Sequence, residues 1–191
     1  MKAVFKSAVF AVLLLCTLQV PALADEDEIA RAREYFTNLE LINQDGETVR
    51  FFDDVLKDKI VVVNFIFTNC EGACPLMTHK LSLVRDRFED KIGNPLHFVS
   101  LSIDPERDTP AAMKAFAQEH QADHEGWVWL TGNPEHLDMI VKLLGQYAPD
   151  VESHSTMMLA GNVNAAHWIK IQPYEMPPQI IQKVQLLLEE G

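Results

Sequence analysis

The chain has 191 residues, with 28 acidic against 16 basic side chains, a formal net charge of −12 and three cysteines. So negative a surface repels phosphate backbones, which argues against nucleic acid as a partner and favours a protein partner that carries a cationic patch. Its length suits one domain with a sizeable core.

The first 24 residues have the pattern of a secretory signal peptide. A short basic start precedes an apolar run, and the run ends in small residues. The pattern predicts cleavage after Ala24, export, and a single domain over residues 25–191. Cys16 lies within the apolar run behind a leucine, whereas a lipid-modified cysteine usually follows a small residue. Lipid modification and retention as an uncleaved membrane anchor are therefore the less favoured alternatives.

Residues 39–90 predict a hairpin, a buried strand and a helix, in that order. Apolar and polar residues alternate on both sides of Asp45-Gly46, a dipeptide typical of tight hairpin turns. The run IVVVNFIFTN at 60–69 is almost entirely β-branched or aromatic, which predicts a strand buried on both faces. The following helix has Pro75 in its first turn. Helical spacing predicts an apolar face that contains Leu76, Leu81, Val84 and Phe88.

The remaining chain repeats the strand–helix alternation and then changes pattern. Strands are predicted at 96–103 and 127–132, and helices at 109–120 and 134–148. A hairpin around the turn at 162–165 and a last helix at 177–191 close the chain. Alternating strands and helices predict parallel pairing, and hence an α/β fold with a central mixed sheet that is covered by helices on both faces.

Cys70 and Cys74 are the residues that most strongly suggest chemistry, because they are the two cysteines left after removal of the signal peptide. Such a pair can be a structural disulfide, a catalytic dithiol or two metal ligands. The disulfide is the weakest interpretation, since it would close a very short loop and stabilise the fold little.

The position of the two cysteines between a strand and a helix favours a functional role. We expect Cys70 to close the buried strand and Cys74 to open the helix, where free amides and the helix dipole would lower the pKa of both thiols. Four-residue spacing places both sulfurs on one side of a helical turn, where they can converge on one ion. Soft thiolates favour copper(I), with zinc as a competitor, and a third ligand is needed to complete the site.

Four motifs in a fixed order carry a resemblance to a known family. They are KIVVVNFIFTNCEGACPLM at 59–77, VSLSIDPERDTPAAMKAF at 99–116, LTGNPEHL at 130–137 and the histidine-containing ESHSTMML at 152–159. In order and spacing they resemble the Sco/SenC family of thioredoxin-like copper proteins, over most of the chain from about Leu39. The motifs CxxxCP and DPERDTP are specific as a pair, although either alone is weak.

The resemblance implies a thioredoxin-like domain that binds copper through Cys70, Cys74 and His154. Since imidazole suits copper(II) and two thiolates suit copper(I), such a site could hold both oxidation states. It implies a periplasmic copper chaperone that assists assembly of the dinuclear copper site of cytochrome c oxidase, with a subunit of that enzyme as acceptor. Family members often have an aspartate directly before the histidine, and this chain has Ser153. Asp104 is a substitute candidate for the group that orients the imidazole.

A thiol–disulfide oxidoreductase is the alternative function. In it, Cys70 would form a mixed disulfide with an acceptor protein, Cys74 would resolve it, and a thiol reductase partner would restore the dithiol. The three-residue EGA spacer differs from the two-residue spacer typical of thioredoxin-like oxidoreductases, and a histidine stands where their cis-proline is expected. A thiol peroxidase is weaker still, because the usual surroundings of a peroxidatic cysteine are absent from the motif.

The DPERDTP motif also has a structural interpretation. Asp104, Asp108 and Thr109 can cap turns and a helix start, and Pro110 suits the first helical position. This interpretation is favoured over direct chemistry, while Arg107 could belong to a partner-binding surface.

The other histidines and two methionines are weaker candidates. His120 and His124 have the spacing of a metal-binding pair but lie at a predicted helix end, where histidines interact favourably with the dipole. Met157 and Met158 can offer thioether sulfur to copper(I), yet adjacent strand residues face opposite sides, so at least one should pack in the core. Structural or solvated roles are expected for His79, His97, His136 and His167.

Overall fold

A single mixed sheet organises the residues that the structure, a computed structural model, describes: 26–147 and 156–190. The predicted signal peptide, Cys16 and His154 lie outside these residues. The strands are β1 (Glu40–Asn43), β2 (Thr48–Arg50), β3 (Ile60–Ile66), β4 (Leu96–Ser102), β5 (Trp127–Thr131), β6 (Met158–Asn162) and β7 (His167–Ile171). The helices are α1 (Glu26–Phe36), α2 (Ala73–Arg87), α3 (Pro110–Glu119), α4 (Pro134–Leu143) and α5 (Pro177–Leu188), with a π-helical turn at Phe51–Leu56.

The strand order is β2-β1-β5-β4-β3-β6-β7. The β3–β4 and β4–β5 pairs are parallel, and the remaining pairs are antiparallel. The predicted mixed sheet, its two hairpins and the parallel pairing of the strand–helix units are therefore confirmed. The β3 strand lies between β4 and β6, and all seven of its residues are buried, as its apolar run predicts.

Helices cover both faces of the sheet and form a separate core on each. Val62 and Ile66 belong to the core beneath α2, α3 and α5. The alternate residues Val61 and Val63 belong to the core beneath α1, α4 and the π-helical turn. Among the described residues, no helix has the length and apolarity needed to cross a membrane.

Two elements are missing from the sequence-based prediction. The acidic N-terminal segment forms α1, which buries only Phe36 and is attached through an ion pair of 3.0 Å between Arg33 and Asp53. Residues 51–56 form the π-helical turn, whose four apolar side chains are all buried. Tertiary contacts stabilise both elements, because neither has a long periodic apolar pattern of its own.

The predicted apolar face of α2 is wrong at one residue. Leu76 is exposed over 54% of its surface, and Met77 is buried in its place. The helix begins at Ala73 and turns Cys74, Met77 and Leu81 towards the sheet. These residues are spaced by three and four, which is the spacing of one helical face.

Candidate metal and thiol site

The loop at 67–72, which contains Cys70 and is called the cysteine loop below, lies at the carboxyl end of β3, beside the end of β4. Ile66, the last residue of β3, is paired with Ser102, the last residue of β4. Cys70 lies within the loop, beyond the end of β3, and not at the end of the strand as expected. Cys74 is the second residue of α2, as the sequence predicts.

The two cysteines are free thiols in contact with each other. The backbone N–H of Cys74 donates to Sγ of Cys70 over 3.3 Å. Cys70 is half-buried, whereas only 2% of Cys74 is exposed, within the core beneath α2. The pair therefore presents one accessible sulfur atom and one that is almost enclosed.

The electrostatic environments of the two thiols shift their pKa values in opposite directions. Burial tends to raise the pKa of Cys70, but hydrogen bonds from Cys74 and from the amides of Gly72 and Ala73 outweigh it, so the pKa is lowered. Burial raises the pKa of Cys74 to about 12, and interactions with Cys70 and Asp108 act in the same sense. The predicted low pKa is confirmed for Cys70 and is wrong for Cys74, because the amides at the start of α2 act on the first sulfur while the second is in the core.

Asp108 joins the cysteine loop to the end of β4. Its fully buried carboxylate accepts hydrogen bonds from the backbone N–H of Thr68 (2.9 Å), the Thr68 hydroxyl (2.7 Å) and the Ser102 hydroxyl (2.5 Å). Burial raises the pKa of this carboxyl, although these hydrogen bonds oppose the shift. Sequence reasoning missed this contact, since residues 68 and 108 are far apart in the chain.

The rest of the DPERDTP motif has the predicted structural role. Thr109 caps α3 by accepting a hydrogen bond from the N–H of Ala112 (3.2 Å), and Pro110 is the first residue of that helix. The carboxylate of Asp104 pairs with Arg107, whose side chain is exposed. The suggested contact between Asp104 and the imidazole of His154 stays a prediction, because His154 lies outside the described residues.

The two methionines divide as strand alternation predicts. Met158 is buried in the same core as Cys74, which confirms a packing role for one of them. Met157, directly before β6, is less buried, and its sulfur accepts a hydrogen bond of 3.7 Å from Nε2 of Gln146.

Four of the described histidines have structural contacts. The His120 ring lies 4.3 Å from the Phe116 ring, and Nδ1 of His124 accepts from the Gly126 N–H over 3.1 Å. Nδ1 of His136 lies 2.9 Å from the Glu40 carbonyl, and His167 pairs with Glu190. Within residues 26–147 and 156–190, no three His, Cys, Asp or Glu side chains are grouped closely enough to hold a metal ion.

Comparison with known proteins identifies relatives over most of the chain. The SCO1/SenC family model matches residues 27–189. A SCO1 protein homolog of Bacillus subtilis is 38% identical over 91 residues, covering 47% of this chain and 45% of the relative. The mitochondrial SCO1 homolog 1 of Arabidopsis thaliana is 29% identical over 116 residues, covering 61% of this chain and 33% of the relative. The chain thus spans about half the length, or less, of these curated relatives.

Solved structures share the fold. A SCO1/SenC family lipoprotein of Bacillus anthracis has a TM-score of 0.67 at 29% identity, covering 80% of this chain and 94% of its own. Copper-bound ScoI of Arabidopsis thaliana has a TM-score of 0.66 at 23% identity, covering 80% of this chain and 97% of its own. The architecture is the predicted thioredoxin-like one, and the chain belongs to the SCO1/SenC family.

Proposed function

We propose that this chain is an exported, periplasmic copper-binding protein that assists assembly of the dinuclear copper site of cytochrome c oxidase. Copper would be held by Sγ of Cys70, Sγ of Cys74 and the imidazole of His154. Family membership and the similar solved structures support the proposal. ScoI proteins of Arabidopsis thaliana and Bradyrhizobium japonicum were solved with copper bound, and BsSco is a member of the Sco family of cytochrome c oxidase assembly proteins.

The observation that carries the proposal is the pairing of two free sulfur atoms at the start of α2. The N–H···S contact of 3.3 Å holds Cys70 against the first turn of the helix that contains Cys74. Thiolates are soft ligands that select copper(I). The low pKa of Cys70 prepares one thiolate, and metal binding must displace the proton from Cys74, whose pKa is about 12.

The pairing of β6 supports His154 as the third ligand. Leu159 is paired with Val63 in antiparallel register, so the chain enters β6 from the carboxyl end of β3, where the cysteine loop lies. His154 is four residues before the first residue of β6. An imidazole at this position would add a borderline ligand that suits copper(II) as well as copper(I).

The exposure of the two sulfurs fits transfer by ligand exchange. Cys70 is accessible, so a thiolate of an acceptor protein can reach copper from that side, while Cys74 stays enclosed. Copper would then pass to the acceptor as its ligands replace Cys70 and afterwards the other two. The buried Cys74 would regain its proton when copper leaves.

The difference in pKa and exposure between the two thiols favours a second function, thiol–disulfide exchange with the acceptor. The Cys70 thiolate could attack a disulfide of the acceptor, which forms a mixed disulfide and releases one acceptor thiolate. Cys74 would then lose its proton and attack Sγ of Cys70, which releases the second acceptor thiolate and leaves a Cys70–Cys74 disulfide. Two electrons pass to the acceptor, and a thiol reductase must return them. A disulfide switch has been identified in BsSco, which has the same fold.

Replacement of His154 by alanine separates the two functions. We expect copper(II) affinity to fall by at least about 10- to 100-fold, with a smaller loss for copper(I), because the two thiolates remain. Copper titrations measure the affinities for copper(II) and copper(I), and the visible thiolate-to-copper absorption reports on the copper(II) site. The control variant is His79→Ala, which removes a histidine on α2. Unchanged copper(II) affinity and absorption in His154→Ala would remove the histidine from the site and leave the oxidoreductase as the better function.

A further inference from the structure

We propose that three exposed apolar side chains beside the cysteine loop, Leu76, Tyr174 and Met176, form the docking surface for the protein that receives copper. This inference rests on the proposed function and names the surface through which it acts. We call these three residues the docking patch. Its occupant is a protein domain whose exposed copper ligands are bordered by apolar surface and by a basic rim.

Lys80 places two parts of the docking patch side by side. Its Nζ donates to the carbonyl of Pro173 (2.8 Å) and to that of Glu175 (3.2 Å). Long side chains in a helix lie back over the preceding turn, and Leu76 is four residues before Lys80 on the same helical face. The loop that carries Tyr174 and Met176 therefore lies against the turn of α2 that carries Leu76.

The register of the sheet brings the same loop to the site. Ile171, the last residue of β7, is paired with Met158, the first residue of β6. The chain enters β6 at the carboxyl end of β3, and α2 begins at the same end, with Cys74 as its second residue. The docking patch and the cysteine loop thus occupy one end of the molecule.

Hydrogen bonds and an ion pair anchor this loop to the fold. Glu175 is turned inward, where its carboxylate accepts from the Gln172 N–H (2.7 Å) and pairs with Lys183 (2.7 Å). Lys80 is itself buried. Tyr174 and Met176, on either side of Glu175, remain 77% and 57% exposed. A rigid loop with an exposed tyrosine loses little entropy on binding, and tyrosine is enriched among residues that dominate binding energy.

Copper exchange requires a partner to cover this surface. Cys74 is enclosed, so the partner must bring its own ligands against Cys70. A standard interface buries about 800 Å² on each partner, a patch with a radius of about 16 Å, which extends well beyond two cysteines. Two acids, Glu71 and Glu106, and one base, Arg107, are exposed at this end, and the net charge of the chain is −12, so a basic rim on the partner is complementary.

Three other exposed apolar side chains provide a matched control. Tyr35 on α1, Met139 on α4 and Leu186 on α5 are 60%, 51% and 48% exposed. They match the docking patch in residue type and lie on separate helices outside the cysteine loop. The comparison variants are Leu76→Gln, Tyr174→Gln and Met176→Gln combined, and Leu186→Gln, Tyr35→Gln and Met139→Gln combined.

The test measures copper transfer from the loaded protein to the apo, reduced copper-binding domain of cytochrome c oxidase, at acceptor concentrations far below saturation. We expect the docking-patch variant to transfer copper at least about 10-fold more slowly and the control variant to stay within about twofold of wild type. The copper affinity of all three proteins should be equal. Tyr174→Gln alone, expected to cause most of the loss, replaces the triple variant if that variant does not fold.

Equal transfer rates for the docking-patch variant and wild type would overturn the inference, as would equal slowing by the control variant. If copper transfer by the wild-type protein does not slow at raised salt, the inference that the partner has a basic rim is wrong. A wild-type protein that binds copper but neither binds nor loads this domain would overturn the docking inference for this partner. Copper binding by His154→Ala tests the proposed site separately, so the two failures are distinguishable.

Discussion

The two ends of the β3 strand offer different kinds of surface. At its carboxyl end the described residues place two thiols, a buried carboxylate and the exposed docking patch. At its amino end, a groove of about 570 Å³ lies between α1 and the turn that joins β6 to β7. Its walls combine charged side chains with aromatic ones, and the rings of Phe36 and Trp168 lie 5.1 Å apart.

The proposed copper site and the groove thus lie at opposite ends of β3. The groove is spacious, yet three of its aromatic side chains, Phe36, Phe52 and Trp168, belong to the packing that attaches α1 to the sheet. At the carboxyl end, Cys70 is accessible and backbone amides lower its pKa, whereas Cys74 is enclosed and burial raises its pKa. We therefore expect substitutions at the amino end to change stability and those at the carboxyl end to change reactivity.

The largest expected effect is a difference in reactivity between the two thiols. In the reduced protein near neutral pH, Cys70 in the Cys74→Ser variant should react with iodoacetamide more than about 100-fold faster than Cys74 in the Cys70→Ser variant. Cys70 has a lowered pKa and is accessible, whereas Cys74 has a pKa of about 12 and is enclosed. Alkylation rates followed by mass spectrometry measure the ratio, and similar rates would show that the two sulfurs have equivalent environments.

The next effect is on stability at the amino end. A Cβ atom at Gly161 would lie 2.5 Å from the Trp168 ring, so Gly161→Ala must displace that ring from its position beside α1. We expect a loss of about 1–3 kcal/mol in the free energy of unfolding, measured with denaturant, and unchanged copper affinity in the folded protein.

Gly72→Ala is the matched control for this substitution in the cysteine loop. A Cβ atom there has no heavy atom within 4 Å, so the free energy of unfolding should change by less than about 0.5 kcal/mol. Loss of copper affinity in folded Gly161→Ala protein would show that the two ends of β3 are coupled and do not act independently.

The smallest effect is a pH dependence of stability from His97, near the amino end of β3. Burial, assisted by Lys59, lowers the pKa of His97 to about 4, below its unfolded value near 6.5. The contribution of His97 to the free energy of unfolding is complete above the unfolded pKa. It is lost as pH falls from about 6.5 to 4, because the unfolded chain then binds a proton that the folded chain does not. Screening of a half-buried ring limits this contribution to about 1 kcal/mol.

Denaturant unfolding at pH 7 and pH 4.5 measures this contribution. His97→Gln should lose less stability than wild type between the two pH values, and His79→Gln, on α2, controls for loss of a histidine. An equal acid-induced loss in wild type and His97→Gln would assign the pH dependence to other groups.

Sequence periodicity predicted much of this fold because its elements have strong local patterns. The β3 run is apolar almost throughout, and Asp45-Gly46 forms the expected turn with a positive φ of 83° at the glycine. The α1 helix and the π-helical turn escaped prediction, since their stability comes from contacts such as Arg33 with Asp53. Leu76 was assigned to the wrong face because a helical pattern does not define which of two adjacent apolar residues turns inward.

By itself, the sequence determined the order of most strands and helices, the membership of the SCO1/SenC family and the position of Cys70 and Cys74 at one junction between a strand and a helix. These features depend on residues that are close in the chain or on the order of motifs along it, so they can be predicted from composition, spacing and motif order. Only the tertiary structure decided that Cys74 is enclosed with a raised pKa and that Asp108 binds Thr68. Burial and contacts between distant residues set these properties, and they arise only when separate elements pack against one another.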